Sequence, residues 1–103
     1  DTIISGGTNI YPQEIDDVLL AHQSVAEVCC IGVPNEEWGE EVKAVINLES
    51  GSDEDAVRKE LVQLAEEKLS GFKKPKTYEF WTEELPRLPT GKIQRNLVKK
   101  RFW

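Results

Sequence analysis

Ala26 to Val33 is an apolar, β-branched run closed by Pro34-Asn35, and no other segment restricts the fold as strongly. Such a run reads as a strand buried on both faces, which obliges the remaining chain to cover it. Cys29 and Cys30 stand side by side within it. Adjacent strand residues point to opposite faces, so the pair is expected to be two free, buried thiols and not a disulfide. A second strand is expected from Glu41 to Leu48, where Val42, Ala44, Ile46 and Leu48 alternate with Lys43, Val45 and Asn47. That alternation predicts a strand with one face on the core. The connection from Pro34 to Glu40 is polar apart from Trp38 and Gly39, which places a large aromatic at or near the surface.

The flanking sequence supplies the cover. Thr2 to Ser5 reads as a short strand entering a turn at Gly6-Gly7-Thr8-Asn9, where two glycines permit positive φ. A helix follows, with Pro12 in its first turn, Glu14, Asp16 and Asp17 toward the positive end of its dipole, and Ile15, Val18 and Leu19 on one face. It is expected to end near His22, the one histidine, read as a helix-end residue. After Gly51-Ser52, either Ser52 or Asp53 can cap a helix carrying Val57, Leu61, Leu64 and Ala65 at helical spacing, closed by Gly71. Pro75 keeps Phe72-Lys73-Lys74-Pro75-Lys76 out of helix and leads into an alternating strand from Thr77 to Trp81. A last helix from about Gln94 to Phe102 should turn Leu97 and Val98 inward and Lys99, Lys100 and Arg101 outward. The expectation is an α+β domain spanning residues 1–103: a small three-stranded sheet with about three helices packed on it, plus a short N-terminal strand.

With 103 residues there is room for one compact domain. Hydrophobic residues at 39% and charged residues at 31%, without repeats or low-complexity tracts, favour a soluble folded domain over disorder. No apolar run is long enough for a membrane span, and the N-terminus lacks the zones of a signal peptide, so a cytoplasmic location is expected. One histidine and no CxxC spacing argue against a metal site. Asp1 in place of Met, followed at once by Ile3-Ile4, suggests a chain cut from something larger. Residues 1–71 hold four basic and sixteen acidic side chains, whereas residues 72–103 hold nine basic and three acidic. An acidic body of that extent opposes nucleic acid as a partner for the basic lobe. A small polyphosphate docked locally fits the asymmetry, and so does a solvated helix face.

Two local signatures carry more. The first is Gly6-Gly7-Thr8-Asn9-Ile10-Tyr11-Pro12 followed by Glu14-Ile15: strand, glycine turn, asparagine, aromatic-proline and helix entry in fixed order. The second is Leu85-Pro86-Arg87-Leu88-Pro89-Thr90-Gly91-Lys92-Ile93-Gln94-Arg95. It is not a phosphate-cradling P-loop, because Ile93 stands where Ser or Thr is needed and no earlier glycine has the required spacing. The first string resembles the segment following the hinge of acyl-CoA synthetases, aryl-CoA ligases, luciferases and the adenylation domains of peptide synthetases. The second is similar to the terminal P-x-x-x-x-G-K-I-x-R element of that adenylate-forming superfamily, matched from Pro86 or Pro89 through Arg95. The loop Pro34 to Glu40 and the segment Phe72 to Lys76 also look like the family's segments at these places, so the resemblance covers essentially the whole chain.

The resemblance implies a mobile C-terminal cap domain of an AMP-forming carboxylate:CoA ligase whose large N-terminal domain is absent. Lys92 is then the catalytic lysine of adenylate formation. Gly6, Gly7 and Asn9 would lie along the pantetheine channel. Trp38 and Phe72 are implied as stacking surfaces for the adenine of CoA, with ordinary core packing as the alternative, and Lys74 or Lys76 would meet its phosphates. Lys73 is the weaker choice. ATP, Mg²⁺ and CoA are the implied ligands of the complete enzyme, with Mg²⁺ and most ATP contacts in the missing domain, and the partners are that domain, CoA and the acyl-adenylate. An adenylation domain loading a carrier-protein thiol, and a stand-alone CoA-binding or interaction module, remain open. Acetylation of Lys92 would remove its charge and stop the first step.

Overall fold

The structure, a computed structural model, describes residues 1–103. Its elements are β1 (Ile3–Ser5), β2 (Thr8–Ile10), α1 (Pro12–Leu20), β3 (Val25–Asn35), β4 (Gly39–Leu48), α2 (Glu54–Lys68), a 3₁₀ turn at Gly71–Lys73, β5 (Thr77–Trp81) and α3 (Arg95–Lys100). β3 and β4 form a long antiparallel hairpin, and β5 runs parallel to β4 from Lys43↔Thr77 to Asn47↔Trp81. This three-stranded unit is the expected sheet. Thr8 and Asn9 are not in the turn, however. They belong to β2, which pairs antiparallel with β1 and leaves Gly6-Gly7 as a two-residue connection. Both glycines sit at positive φ, as the twist of a tight hairpin requires. Ser5 pairs with Gly39 and joins the small hairpin to the start of β4, so five strands share one sheet.

Apolar side chains cover both faces of that sheet. One cluster joins Val28, Cys30, Val42, Ala44 and Ile46 to Ile15 and Leu19 of α1 and to Val57, Leu61 and Ala65 of α2. A smaller one joins Cys29, Ile31, Val33 and Val45 to Trp81, Leu85 and Val98. The two cysteines therefore point to opposite faces and are free. Burial pushes the Cys29 thiol up to about 12 and the Cys30 thiol well above its ordinary value, with Asp16 adding to both and Arg95 opposing. β4 was expected to bury one face only. It buries Val45 completely as well, because the chain after β5 folds back across the far side of the sheet.

Local chemistry sets the element ends. The Asp53 carboxylate accepts from the Asp55 and Ala56 N–H groups and caps α2. Asn35 Oδ1 accepts from the N–H groups of Glu37 and Trp38, closing the β3–β4 connection before Gly39 at φ +87°. α2 stops at Lys68 with Leu69 already extended, so Gly71 opens the 3₁₀ turn instead of closing the helix. In α3 only Val98 faces inward. Leu97 is 38% exposed, contrary to its expected place in the core, since the helix has six residues and presents a single narrow buried stripe.

Candidate functional site

Lys92 sits in a narrow two-armed loop between β5 and α3. Its carbonyl accepts from Leu88 N–H at 2.8 Å, Gly91 N–H donates to the Leu88 carbonyl at 2.8 Å, and Gln94 N–H donates to the Pro86 carbonyl at 2.8 Å. An antiparallel bridge between Arg87 and Ile93 closes the base. Gly91 makes the reversal at φ +95°, a conformation that favours glycine. The Lys92 side chain is exposed, and its ammonium makes no ion pair within the chain. Lys92 also borders a cavity of about 260 Å³ with Asp1, Thr2, Tyr11, Pro12, Gln13 and Arg95.

Two buried carboxylates flank this loop, and neither was recognised from the sequence. Glu27 of β3 is 8% exposed and accepts from Leu85 N–H at 2.9 Å and from Arg87 at 2.6 and 2.8 Å. Asp16 of α1 is 6% exposed, accepts from Cys30 N–H at 2.8 Å and pairs with Arg95 at 2.8 Å. Arg95 also donates to the Cys30 carbonyl at 2.7 Å. Burial by itself lowers the Arg95 pKa, but the hydrogen bond and charge of Asp16 outweigh it and hold the guanidinium above its ordinary value. The signal for both carboxylates was present: an acidic residue inside an apolar strand, and another beside Ile15 on a packed helix face. Buried charges at such places need partners.

Of the other expected site residues, Gly6, Gly7, Trp38 and Phe72 gather at the turn end of the β1–β2 hairpin. Strands of three residues span roughly 10 Å, and Asp1, Thr2 and Tyr11 stand at the open end, near Lys92. At the turn end, Gly6 N–H donates to the Trp38 carbonyl at 2.9 Å. The Phe72 ring lies against Gly6, where an added Cβ would stand 2.7 Å from Phe72 Cζ. Trp38 meets Phe72 edge-on at 4.9 Å between centroids. Phe72 is half-buried against the larger core cluster, whereas Trp38 keeps 38% of its surface exposed. Gly7 has open space around it and Asn9 is exposed on β2. Lys73 pairs with Glu14 at 3.1 Å and Lys74 with Glu66 at 2.8 Å, while Lys76 is exposed and without an ion-pair partner. No cavity contains both the Gly6 cluster and Lys92.

Residues 14–92 match the AMP-binding enzyme C-terminal domain family. The chain belongs to that family. Its match runs from Glu14 in the first turn of α1 to Lys92 itself, and so takes in both buried carboxylates and the strands β3, β4 and β5. This AMP-binding C-terminal domain is 40% identical, over all of its length and 19% of the relative's, to a fatty acid–[acyl-carrier-protein] ligase, ScoC, of Streptomyces coeruleorubidus. It is 45% identical, over 98% of its length and 21% of the relative's, to a 2-succinylbenzoate–CoA ligase of Listeria monocytogenes. Among solved structures it superimposes with a TM-score of 0.86 on a Mycobacterium tuberculosis fatty acyl CoA synthetase, at 38% identity, covering 99% of this chain and 20% of the other. The chain thus spans about a fifth of the length of the proteins it matches.

Proposed function

We propose that this domain is the mobile C-terminal part of an ATP-dependent, AMP-forming carboxylate:CoA ligase, with Lys92 as its catalytic lysine. Joining a carboxylate to the α-phosphate of ATP brings two anions together. A cation placed between their oxygens, where water is excluded, offsets that repulsion as charge builds in the transition state. Lysine suits the task because a compact charge on a long stem can be projected from a loop into a cleft made elsewhere. The observation that carries the reading is the contrast among the nine cations of residues 72–103. Six hold carboxylates within the chain, and only Lys76, Lys92 and Lys100 do not. An ammonium left unpaired at the tip of a braced loop is free to meet a partner outside the domain.

The second half-reaction, thiol attack on the acyl-adenylate, is assigned to the opposite end of the β1–β2 hairpin. Gly7 and exposed Asn9 leave room for a narrow pantetheine arm, and Trp38 offers an exposed aromatic face for adenine. Phe72 would act mainly by supporting Trp38 and Gly6. Lys76 is the readier phosphate ligand, since Lys74 must first leave Glu66. The two ends serve two reactions if the domain turns as a unit between them. No group of three His, Cys, Asp or Glu side chains is placed to hold a metal ion.

In the complete ligase, Lys92→Ala should slow adenylate formation by roughly 100–1,000-fold yet leave conversion of supplied acyl-adenylate to thioester intact. Equal loss of both steps would refute the assignment. Relatives that use a carrier protein and relatives that use CoA both match, which keeps the carrier-protein acceptor as a second reading. Side-by-side acceptor assays with CoA and a phosphopantetheinylated carrier separate them. Tight CoA binding by the 103 residues alone, measured by titration calorimetry, would instead indicate an independent module.

A further inference from the structure

We infer that Arg87, held by Glu27, is a positioning residue for Lys92, an inference that rests on the catalytic reading of Lys92. Gly91 and Lys92 share a peptide plane whose oxygen is the Gly91 carbonyl. Because the peptide is planar, fixing that oxygen fixes the Lys92 nitrogen and Cα. With the Lys92 carbonyl held by Leu88 N–H at 2.8 Å, the backbone on both sides of the side chain is set, and with it the direction in which the side chain leaves the loop. Gly91 cannot impose that direction by its own sterics, for it sits at φ +95° with nothing within 4 Å of where a Cβ would be. Arg87 imposes it instead. Its Nη1 donates to the Gly91 carbonyl, while its Nε and Nη2 bind Glu27 Oε2 at 2.8 and 2.6 Å. One planar guanidinium therefore connects a carboxylate buried in the central hairpin to the peptide that launches Lys92.

The remaining contacts make the brace rigid. Glu27 Oε1 is already engaged by Leu85 N–H at 2.9 Å, so one oxygen of the carboxylate is anchored to the backbone and Arg87 binds the other. The Arg87 carbonyl accepts from Gln94 Nε2 at 3.2 Å, tying the same residue to the outgoing arm of the loop. Arg87 keeps 43% of its side-chain surface exposed, which is more than a core anchor would show and leaves it beside the cavity it shares with Lys92 and Glu27. Lysine cannot replace it. An ammonium at position 87 can pair with Glu27, but it lacks the fork that holds Glu27 and the Gly91 oxygen at once.

The test measures adenylation and thioesterification separately in the complete ligase carrying Arg87→Ala, Arg87→Lys or Lys92→Ala, with thermal unfolding of each. Misplacing a reacting group by about 1 Å costs on the order of 100-fold in rate. Arg87→Ala should therefore slow adenylation by ~10–100-fold while thioester formation from supplied acyl-adenylate stays within about twofold. Arg87→Lys should recover most of the stability and keep most of the adenylation deficit. If adenylation instead recovers in step with stability, or if both half-reactions slow equally, or if neither changes, Arg87 is only a structural residue and the inference fails. Lys92→Ala distinguishes the two levels: without a selective adenylation defect in that variant, the reading of Lys92 itself is overturned.

Discussion

Gly6→Ala and Gly7→Ala are neighbouring substitutions with the same chemistry, and the structure assigns them different outcomes. Both residues sit at positive φ, +56° and +81°, so a methyl group at either costs about 1–2 kcal/mol in backbone strain. At Gly7 nothing lies within 4 Å of the new carbon, and the cost ends there. At Gly6 the carbon would stand 2.7 and 2.9 Å from two atoms of the Phe72 ring. That ring is confined by Trp38 on one side and the core cluster on another, so it must be displaced against packed neighbours. Overpacking of this kind adds about 1–3 kcal/mol. Gly6→Ala should therefore destabilise the domain by that further amount, a Tm lower than that of Gly7→Ala by ~4–20 °C for a domain of this size. The assay is thermal and urea unfolding of the 103-residue chain with both variants and with Gly6→Ala combined with Phe72→Leu. The combined variant should lose less than the two single changes together. Equal destabilisation by Gly6→Ala and Gly7→Ala would refute the close packing of the turn on Phe72.

Arg95→Ala strands the buried Asp16 carboxylate with one remaining hydrogen bond, and it should cost about 3–5 kcal/mol in urea unfolding; a loss below 1 kcal/mol would contradict the buried pair. Cys29 and Cys30 titrate above their unfolded values, so the folded state keeps protons that the unfolded chain gives up. Stability should be fully present below about pH 8.5 and fall as pH rises from there toward 12. A Cys29→Ala, Cys30→Ala variant should lose part of that slope, and an unchanged alkaline profile would refute it.

The parts of this fold written in local pattern were legible in advance. The two-faced burial of residues 26 to 33, the divergence of Cys29 and Cys30, and the strand from Thr77 to Trp81 follow from period-two alternation and composition. The parts decided by distant partners were not. β2 exists because Ile10 and Ile3 pair across a two-residue turn, and the second face of β4 is buried because residues beyond Trp81 return to it. The same division holds for the site. Gly91-Lys92 stands out as a short motif, whereas Glu27 meets Arg87 across 60 positions of sequence and Asp16 meets Arg95 across 79. Leu97 shows the limit of helical spacing: an apolar residue beside a buried one on a six-residue helix remains at the surface.

Rapid-quench, single-turnover measurement of the complete ligase with Lys92 changed to Ala or to Gln isolates what the Lys92 charge does in each half-reaction. Removing a charge that acts only as the adenylate forms should slow pyrophosphate release by roughly 100–1,000-fold, while preformed acyl-adenylate passes to the thiol at the unaltered rate. Pyrophosphate release within a few-fold of the unsubstituted enzyme would contradict the account.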